Sequence, residues 1–297
     1  MMGLDQKQAE VWSALNGKRR RAQEYLRGKT VLITGGSSGI GYALAREAVG
    51  AGAKVIVASD DPARLRQAVD SLGGESDSMS GVVCDIARDT DVVSLGDYVS
   101  ARVGCLDILI NNAGFATYHT FEESSLEEIT RLASVNYVGA LRCTKVVLAA
   151  MRERRCGQIV NIASIAGALI ITPNAVYCSS KHGMVAWSEC LRYELQPFGI
   201  RVNVVCPGRV ETPFFHHETF RNRLPRVEAN LTVPMEVVVA GTLTAMLKNR
   251  SVTYIPGYLG YLAWMIRAFP LITTPLYGRL LANRVRALYR LRQDGHS

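Results

Sequence analysis

Few stretches restrict a fold as tightly as Thr34-Gly35-Gly36-Ser37-Ser38-Gly39-Ile40-Gly41, which stands between the apolar run Val31 to Ile33 and the helically spaced residues Tyr42 to Val49. A strand that turns on glycines straight into a helix brings backbone N–H groups to the helix's positive end, where a pyrophosphate can be held. A second apolar segment, Lys54 to Ala58, follows Gly50-Ala51-Gly52-Ala53 and completes a strand–helix–strand unit. The alternation continues through strand Gly81 to Cys84, helix Asp89 to Val103, strand Leu106 to Ile110, helix Ser125 to Arg152 and strand Gln158 to Ala163. Helix Tyr177 to Phe198, strand Arg201 to Cys206 and a last strand near Ser251 to Ile255 follow. Such alternation predicts an α/β fold: a Rossmann-type doubly wound parallel sheet with helices on both faces, its ligands at the strands' C-terminal ends.

The chain divides into a polar helical extension over 1–28, one Rossmann-type domain over 29–256, and an apolar and basic tail over 257–297. Its formal net charge of +8 raises the question of nucleic acid or a membrane surface, so the position of the excess matters. Residues 248–297 hold Lys248, Arg250, Arg267, Arg279, Arg284, Arg286, Arg290 and Arg292 against Asp294, leaving the body close to neutral. Cys84, Cys105, Cys143, Cys156, Cys178, Cys190 and Cys206 are odd in number and show no paired spacing, which predicts reduced core residues in a cytosolic protein. The N-terminus carries no apolar run that would serve as a signal or membrane segment.

Tyr177 and Lys181 stand four apart on a predicted helix and therefore share a face. An ammonium near a phenol favours the phenolate and lowers a pKa that is otherwise about 10, which makes Tyr177 a usable proton donor and acceptor. The pair alone also fits an ordinary amphipathic face. The loops after the strands converge on the same edge: Cys84-Asp85-Ile86, Asn111-Asn112-Ala113-Gly114, Ser164-Ile165-Ala166-Gly167 and Pro207-Gly208-Arg209-Val210-Glu211-Thr212. Singly, Ser164 reads as a strand-end cap, Asp85 as a turn residue and Asn136 as a helix residue bonding its own backbone.

Together, TGGSSGIG, NNAG, the Ser164 segment, Tyr177-x-x-x-Lys181 and the proline-glycine stretch resemble the short-chain dehydrogenase/reductase family over about residues 29 to 256. The resemblance implies hydride transfer at a nicotinamide, with Tyr177 giving or taking the hydroxyl proton and Ser164 bonding the substrate oxygen. Lys181 would hold the nicotinamide ribose and lower the Tyr177 pKa, and Asn136 would hold a water in a proton relay. NAD(P)(H) is then expected along Thr34, Gly35, Ser37, Ser38, Gly39, Ile40 and Gly41, with Ser59 and Asp60 at the end of strand two. Asp85 and Ile86, then Asn112, Ala113 and Gly114, then Pro207, Gly208, Val210 and Thr212 would complete the cofactor path beside Tyr177 and Lys181. A homodimer or homotetramer is implied as well. His182 is expected to be structural, and His216-His217, lacking further ligands, predicts no metal.

At Ser59-Asp60-Asp61 the family's NAD acid would align with Ser59 and its NADP arginine with Asp60, so neither convention is met. Two carboxylates without a basic residue in the glycine loop favour NAD(H), unless Arg64 or Arg66 reaches in. Phe115, Leu169, Ile170, Ile171, Phe214 and Phe215 are candidate walls for a lipophilic substrate, with Pro213 to Pro234 as a lid. In the tail, an aromatic stretch from Tyr258 to Phe269 precedes a helix expected from Pro275, with Leu276, Leu280, Val285, Leu288 and Tyr289 on one face and Arg279, Arg286 and Arg290 on another. That pattern suits peripheral attachment to the cytosolic face of a membrane, with packing on its own domain or a partner subunit as the alternative. The tail, with Met151-Arg152-Glu153-Arg154-Arg155, resembles loosely the family's membrane-associated reductases of 3-ketodihydrosphingosine. Steroid or retinoid dehydrogenation and a non-catalytic dinucleotide sensor or scaffold are the alternatives. Nucleic-acid binding is not expected, because apolar residues are interleaved with the tail's arginines.

Overall fold

Strands β1 (Thr30–Thr34), β2 (Lys54–Ser59), β3 (Met79–Val83), β4 (Ile108–Asn111), β5 (Gly157–Ile162), β6 (Ile200–Pro207) and β7 (Val252–Ile255) form one sheet in the order β3-β2-β1-β4-β5-β6-β7. All six pairings are parallel. This computed structural model describes residues 17, 20–212, 214, 218–220 and 232–294. The strand order reverses between β1 and β4, and at that switch point the loops after adjacent strands separate and leave a crevice for ligand.

Period-two alternation along the strands assigns their side chains to two cores. Val31, Ile33, Val55, Val57, Ile108 and Ile110 face α1 (Gly39–Gly50), α2 (Pro62–Ser71) and α7 (Met235–Leu247). Leu32, Ile56, Leu109, Ile159 and Val202 face α3 (Asp89–Val103), α5 (Gly139–Arg154) and α6 (Ala175–Leu195). Apart from the helix expected over Ser125 to Arg152 and the tail, the expected strands and helices form within a few residues of their expected bounds. Three helices, α2, α7 and Tyr258–Ala268 of the tail, were not among the expected elements. The signal for α2 was present in Asp61-Pro62: Asp61 caps the helix by accepting from the Ala63 and Arg64 N–H groups at 3.0 Å, and Pro62 opens it.

Where one helix was expected from Ser125 to Arg152, the chain forms α4 (Leu126–Ala133), a π-helical turn (Ser134–Val138) and α5. Asn136 sits inside that turn. The N-terminal extension does not stand apart: residues 20–26 are helical, Ala22 and Leu26 are buried in the core, and the Tyr25 hydroxyl donates to Gln158 Oε1 at 2.7 Å. Of the seven cysteines, Cys84, Cys143, Cys178 and Cys206 are buried, but Cys156 and Cys190 are exposed, which corrects the expectation of core residues throughout.

The tail folds into α8 (Tyr258–Ala268) and α9 (Pro270–Asp294), so helix begins five residues before Pro275 and contains it. The expected faces of α9 are also corrected. Leu276 and Val285 are nine residues apart, which at 3.6 residues per turn puts them on opposite sides. Thr273, Tyr277, Leu281, Arg284, Val285 and Leu288 are the partly covered stripe, whereas Leu276, Leu280, Arg279 and Arg286 are exposed. Among the described residues no helix is long and apolar enough to cross a membrane.

Candidate functional site

The glycine loop joins β1 to α1. Ser38, at the N-cap in extended conformation, makes no side-chain cap bond, and the first turn of α1 holds no acidic residue, so its N–H groups suit an anionic ligand. A Cβ at Gly41 would lie 2.4 Å from Gly35 O and from Asn112 Nδ2, and one at Gly35 would lie 2.7 Å from Ala113 Cα. These positions are glycine because two loops pass with no room for a side chain.

Thr34 and Asn112 lock those loops rather than reaching outward. The Thr34 hydroxyl accepts from the N–H groups of Asn112 (3.1 Å) and Ala113 (3.2 Å), and Asn112 Nδ2 donates to Thr34 O and Gly35 O at 3.1 and 3.0 Å. Ser37 and Ser59 share a hydroxyl–hydroxyl bond of 2.8 Å across the turn. Ile40 is packed against the core and Ile86 is buried, where a Cβ on Gly139 would meet its side chain at 2.6 Å, so Ile86 can offer a ligand only its backbone. From the β6 loop, Val210 is buried and Thr212 closes over Gly39, whose added Cβ would lie 3.3 Å from the Thr212 methyl. Pro207 ends β6, and Gly208 N donates to Ile255 O at 2.7 Å. The expected cofactor residues therefore do gather at one edge, several of them as scaffold.

At β2 the picture departs from expectation. Asp61 is engaged as the α2 cap, with Arg64 paired to it at 2.7 Å. Arg131 of α4, which sequence reasoning missed, reaches Asp85 at 2.6 Å and Asp60 at 3.6 Å. Burial raises the Asp85 pKa, but the bonds from Arg131 and from the Ala87 N–H outweigh it and hold the carboxyl below its ordinary value.

Asn136 is fully buried, and both ends of its amide are engaged: Oδ1 accepts from Phe115 N at 2.9 Å and Nδ2 donates to Phe115 O at 2.8 Å. Its side chain thus fixes the loop after β4. A Cβ on Gly114 would lie 2.9 Å from Asn136 Oδ1 and 3.5 Å from Lys181 Nζ, so this glycine lets Asn136, Lys181 and the β4 loop converge.

Ser164 caps a 3-10 turn (Ile165–Gly167), its Oγ accepting from Ala166 N at 3.1 Å, and its hydroxyl lies near enough to Tyr177 to favour the phenolate. Gly167 presses that turn onto α6: a Cβ there would lie 2.6 Å from Lys181 O. Lys181 is buried, its ammonium donating to Ile162 O at 3.2 Å and lying 5.8 Å from the Tyr177 ring centroid. Desolvation lowers the Lys181 pKa to about 8. Part of Tyr177's surface reaches solvent, yet desolvation pushes its phenol up to about 12, with the Ser164 hydroxyl pulling the other way. The expected depression of the phenol pKa by Lys181 is therefore not found in the protein alone. The ammonium spends its directional contact on Ile162, and desolvation dominates the ring.

Beyond Tyr177 the surroundings are apolar. Phe214 lies edge-on to Tyr177 at 5.9 Å, and Phe220 contacts both Phe214 (6.4 Å) and Tyr118 (5.6 Å). Leu288 of α9 packs against this cluster, the Tyr277 hydroxyl donates to Ile170 O at 2.5 Å, and Thr172 donates to Leu281 O at 3.4 Å. The tail therefore packs on its own domain beside Tyr177, which is the contact one of the expected alternatives described. Of the expected walls, Leu169 is buried with Ile171 in a cluster that includes Ala263 of α8, Phe115 packs on the main core, and Ile170 is half exposed. Phe215, His216, His217 and most of the expected lid, namely 213, 215–217 and 221–231, lie outside the described residues. His119, also missed, shares a small cleft with Tyr177 and is held 2.9 Å from Glu128. His182 makes a structural contact, its Nδ1 2.9 Å from Cys178 O.

Against this geometry, the family described as short chain dehydrogenase matches residues 29–222. The chain is 34% identical over 226 residues to the ketoacyl reductase HetN of a Nostoc strain, covering 76% of this chain and 77% of that protein. It is 38% identical over 188 residues to momilactone A synthase of Oryza sativa subsp. japonica, covering 63% and 68%. A short-chain dehydrogenase/reductase from Burkholderia phymatum solved with NAD superposes with a TM-score of 0.74 at 25% identity, over 83% of this chain and 95% of that one. A variant of actinorhodin polyketide ketoreductase solved with NADPH gives 0.70 at 32%, over 78% and 97%.

Proposed function

The chain belongs to the short-chain dehydrogenase/reductase family and is an NAD(P)-dependent oxidoreductase, and we propose that it reduces the carbonyl of a lipophilic ketone, of the long-chain 3-keto class or similar. The observation that carries this reading is the placement of Tyr177 and Lys181 one turn apart on α6, with the buried Lys181 ammonium 5.8 Å from the Tyr177 ring centroid and Phe214 edge-on to that ring at 5.9 Å. A phenol beside an ammonium can act as a general acid towards an oxygen that gains negative charge. When bound, a reduced nicotinamide supplies the hydride to the carbonyl carbon. Ser164 and Tyr177 hold the substrate oxygen, Tyr177 delivers its proton there, and Lys181, one turn along α6, stabilises the phenolate left behind. Asn136 fixes the Phe115 loop and is a positioning residue. The glycine loop, its fit limited by Gly35 and Gly41, cradles the pyrophosphate, and Asp60 disfavours a 2′-phosphate, so NAD(H) is preferred.

Apolar side chains support a lipophilic substrate, and the tail supports lipid contact. Tyr261, Trp264 and Phe269 form a stacked and edge-on series at 5.6 and 6.1 Å, all exposed, beside exposed Arg267, Leu271 and Ile272. Aromatic and basic groups together suit an anionic lipid surface. The segment Met151 to Arg155 gives no support to any particular lipid: it ends α5 at the start of β5, away from the site, with Met151 buried and Arg154 paired to Asp107 at 3.0 Å. A homodimer or homotetramer belongs to the same reading and is checked by sedimentation velocity.

The deciding experiment incubates the purified chain with NADH or NADPH and a panel of 3-ketoacyl and 2-alkanone substrates of graded length, following loss of reduced nicotinamide. Turnover that rises with chain length supports the proposal. Cofactor binding without turnover of any carbonyl or alcohol would favour the dinucleotide-sensing alternative.

A further inference from the structure

At the C-terminal ends of β2 and β3, one guanidinium stands between two carboxylates. Arg131 Nη1 donates to Asp85 Oδ2 at 2.6 Å, and its Nη2 lies 3.6 Å from Asp60 Oδ2. The two contacts differ in kind. The Asp85 side chain is 22% exposed and also accepts from Ala87 N at 2.9 Å, whereas the Asp60 side chain is 63% exposed and its separation from Arg131 is too long for a hydrogen bond. One end of Arg131 is anchored, and the other faces an exposed carboxylate that binds it weakly. In a doubly wound sheet, the end of β2 is where the adenosine ribose is read, by an acid for hydroxyls or by a base for a phosphate.

Resting on the proposed dinucleotide site, we propose that Arg131 and Asp60 form an opposed pair that sets cofactor choice: Arg131 attracts the 2′-phosphate of NADP(H), Asp60 repels it, and each blunts the other. The carboxylates at the end of β2 look as if they exclude a phosphate when read in sequence, because Arg131 lies 71 positions beyond Asp60 (131 − 60). In the fold it neutralises part of their field. Asp61 takes no part, since it caps α2 and pairs with Arg64. A guanidinium already fixed at one end loses little side-chain freedom when it meets a phosphate, and its fork matches phosphate oxygens.

The test is a fluorescence titration of the full chain with NADH and with NADPH at low salt, for wild type, Arg131→Gln, Arg131→Lys and Asp60→Asn. Arg131→Gln should weaken NADPH binding at least tenfold and NADH binding less than threefold, with Arg131→Lys recovering most of the loss. Asp60→Asn should tighten NADPH binding about threefold to tenfold. Equal weakening of both cofactors by Arg131→Gln would show that it only steadies Asp85 and would overturn the proposal, as would no effect on either or no measurable NADPH affinity in the wild type. If Arg131→Gln fails to fold, Asp60→Asn decides, and an unchanged NADPH affinity there rejects the pair. A wild type that binds neither dinucleotide rejects the proposed function itself and this pair with it.

Discussion

The two halves of the cleft are built differently. On the cofactor side, backbone passes within contact of backbone, and side chains such as Thr34 and Asn112 tie one loop to another. On the side proposed for substrate, aromatic contacts of 5.6 to 6.4 Å gather side chains from distant segments, including Leu288 of the tail. A site that binds one fixed ligand can be made of rigid main chain, whereas a site that chooses among ligands is made of exchangeable side chains. Between them stand Tyr177 and Lys181, and there the comparison can be broken most sharply.

Tyr177→Phe keeps the ring packed against Phe214 but removes the only proton it can give. Turnover should fall at least a hundredfold with cofactor affinity nearly unchanged; a variant that keeps more than about a tenth of wild-type kcat has lost less than about 1.4 kcal/mol and refutes the general-acid role. Stopped-flow turnover beside equilibrium titration separates the two quantities.

Lys181→Met should abolish activity and yet stabilise the protein. Burial has lowered the Lys181 pKa from 10.5 to about 8, so below pH 8 the fold carries a desolvated charge costing on the order of 3 kcal/mol. Between pH 8 and 10.5 the folded lysine has released its proton while the unfolded one still holds it, so wild-type stability rises with pH across that window. Lys181→Met removes this slope. In urea melts its advantage should be largest at pH 7 and vanish above about pH 10.5; an equal gap at both values would mean that the lysine is not buried in its charged form.

On the cofactor side, Gly41→Ala puts a methyl group where backbone already stands, 2.4 Å from Gly35 O. Overpacking of this kind costs about 1–3 kcal/mol, and dinucleotide affinity should fall with it. A Leu288→Ala change on the substrate side should leave that affinity alone and shift KM among ketones of different length. If Leu288→Ala weakens NADH as much as Gly41→Ala does, the two sides are not separable.

The same contrast explains what could be read in advance. The glycine loop, the strand-end asparagine and the Tyr177 helix were legible because their chemistry is local: a turn needs glycine within a few residues, and a helix face is fixed by spacing four. Arg131 escaped because its partners Asp60 and Asp85 meet it only through tertiary folding. The π-helical turn at Asn136 left no mark either, since Ser134-Val135-Asn136-Tyr137-Val138 carries no proline or glycine to signal a break. The tail was misread for a different reason. Its apolar residues are too numerous to pick one face by composition, and the body decided which stripe to cover.

Cofactor choice offers a subtler probe of the same boundary. Asp60→Arg exchanges a carboxylate for a cation at the end of β2 and should move preference from NADH towards NADPH by tenfold or more, measured as a ratio of kcat/KM values. A wild type that binds NADPH tightly and NADH poorly would show that Arg131 already prevails over Asp60.

The smallest effect expected lies outside the cleft altogether. Trp264 and Phe269 keep 55% and 52% of their surfaces exposed and Leu271 keeps 92%, so each still has apolar area to bury against a lipid interface. Full removal from water is worth roughly 1.5–3 kcal/mol for a large apolar side chain, and these, already half covered or able to insert only partly, should contribute less. Each exposed arginine adds about 1 kcal/mol near an anionic surface. Truncating the tail would confuse this with damage to the substrate side, because Leu288 and Tyr277 contact it. Trp264→Glu with Leu271→Glu is the cleaner change: both are exposed, so melting temperature should hardly move while sedimentation with anionic vesicles drops severalfold. Equal sedimentation of variant and wild type, or no sedimentation of either at low salt, would reject the lipid assignment. An oligomer that dissociates in the variant would instead assign this aromatic face to a second copy of the chain.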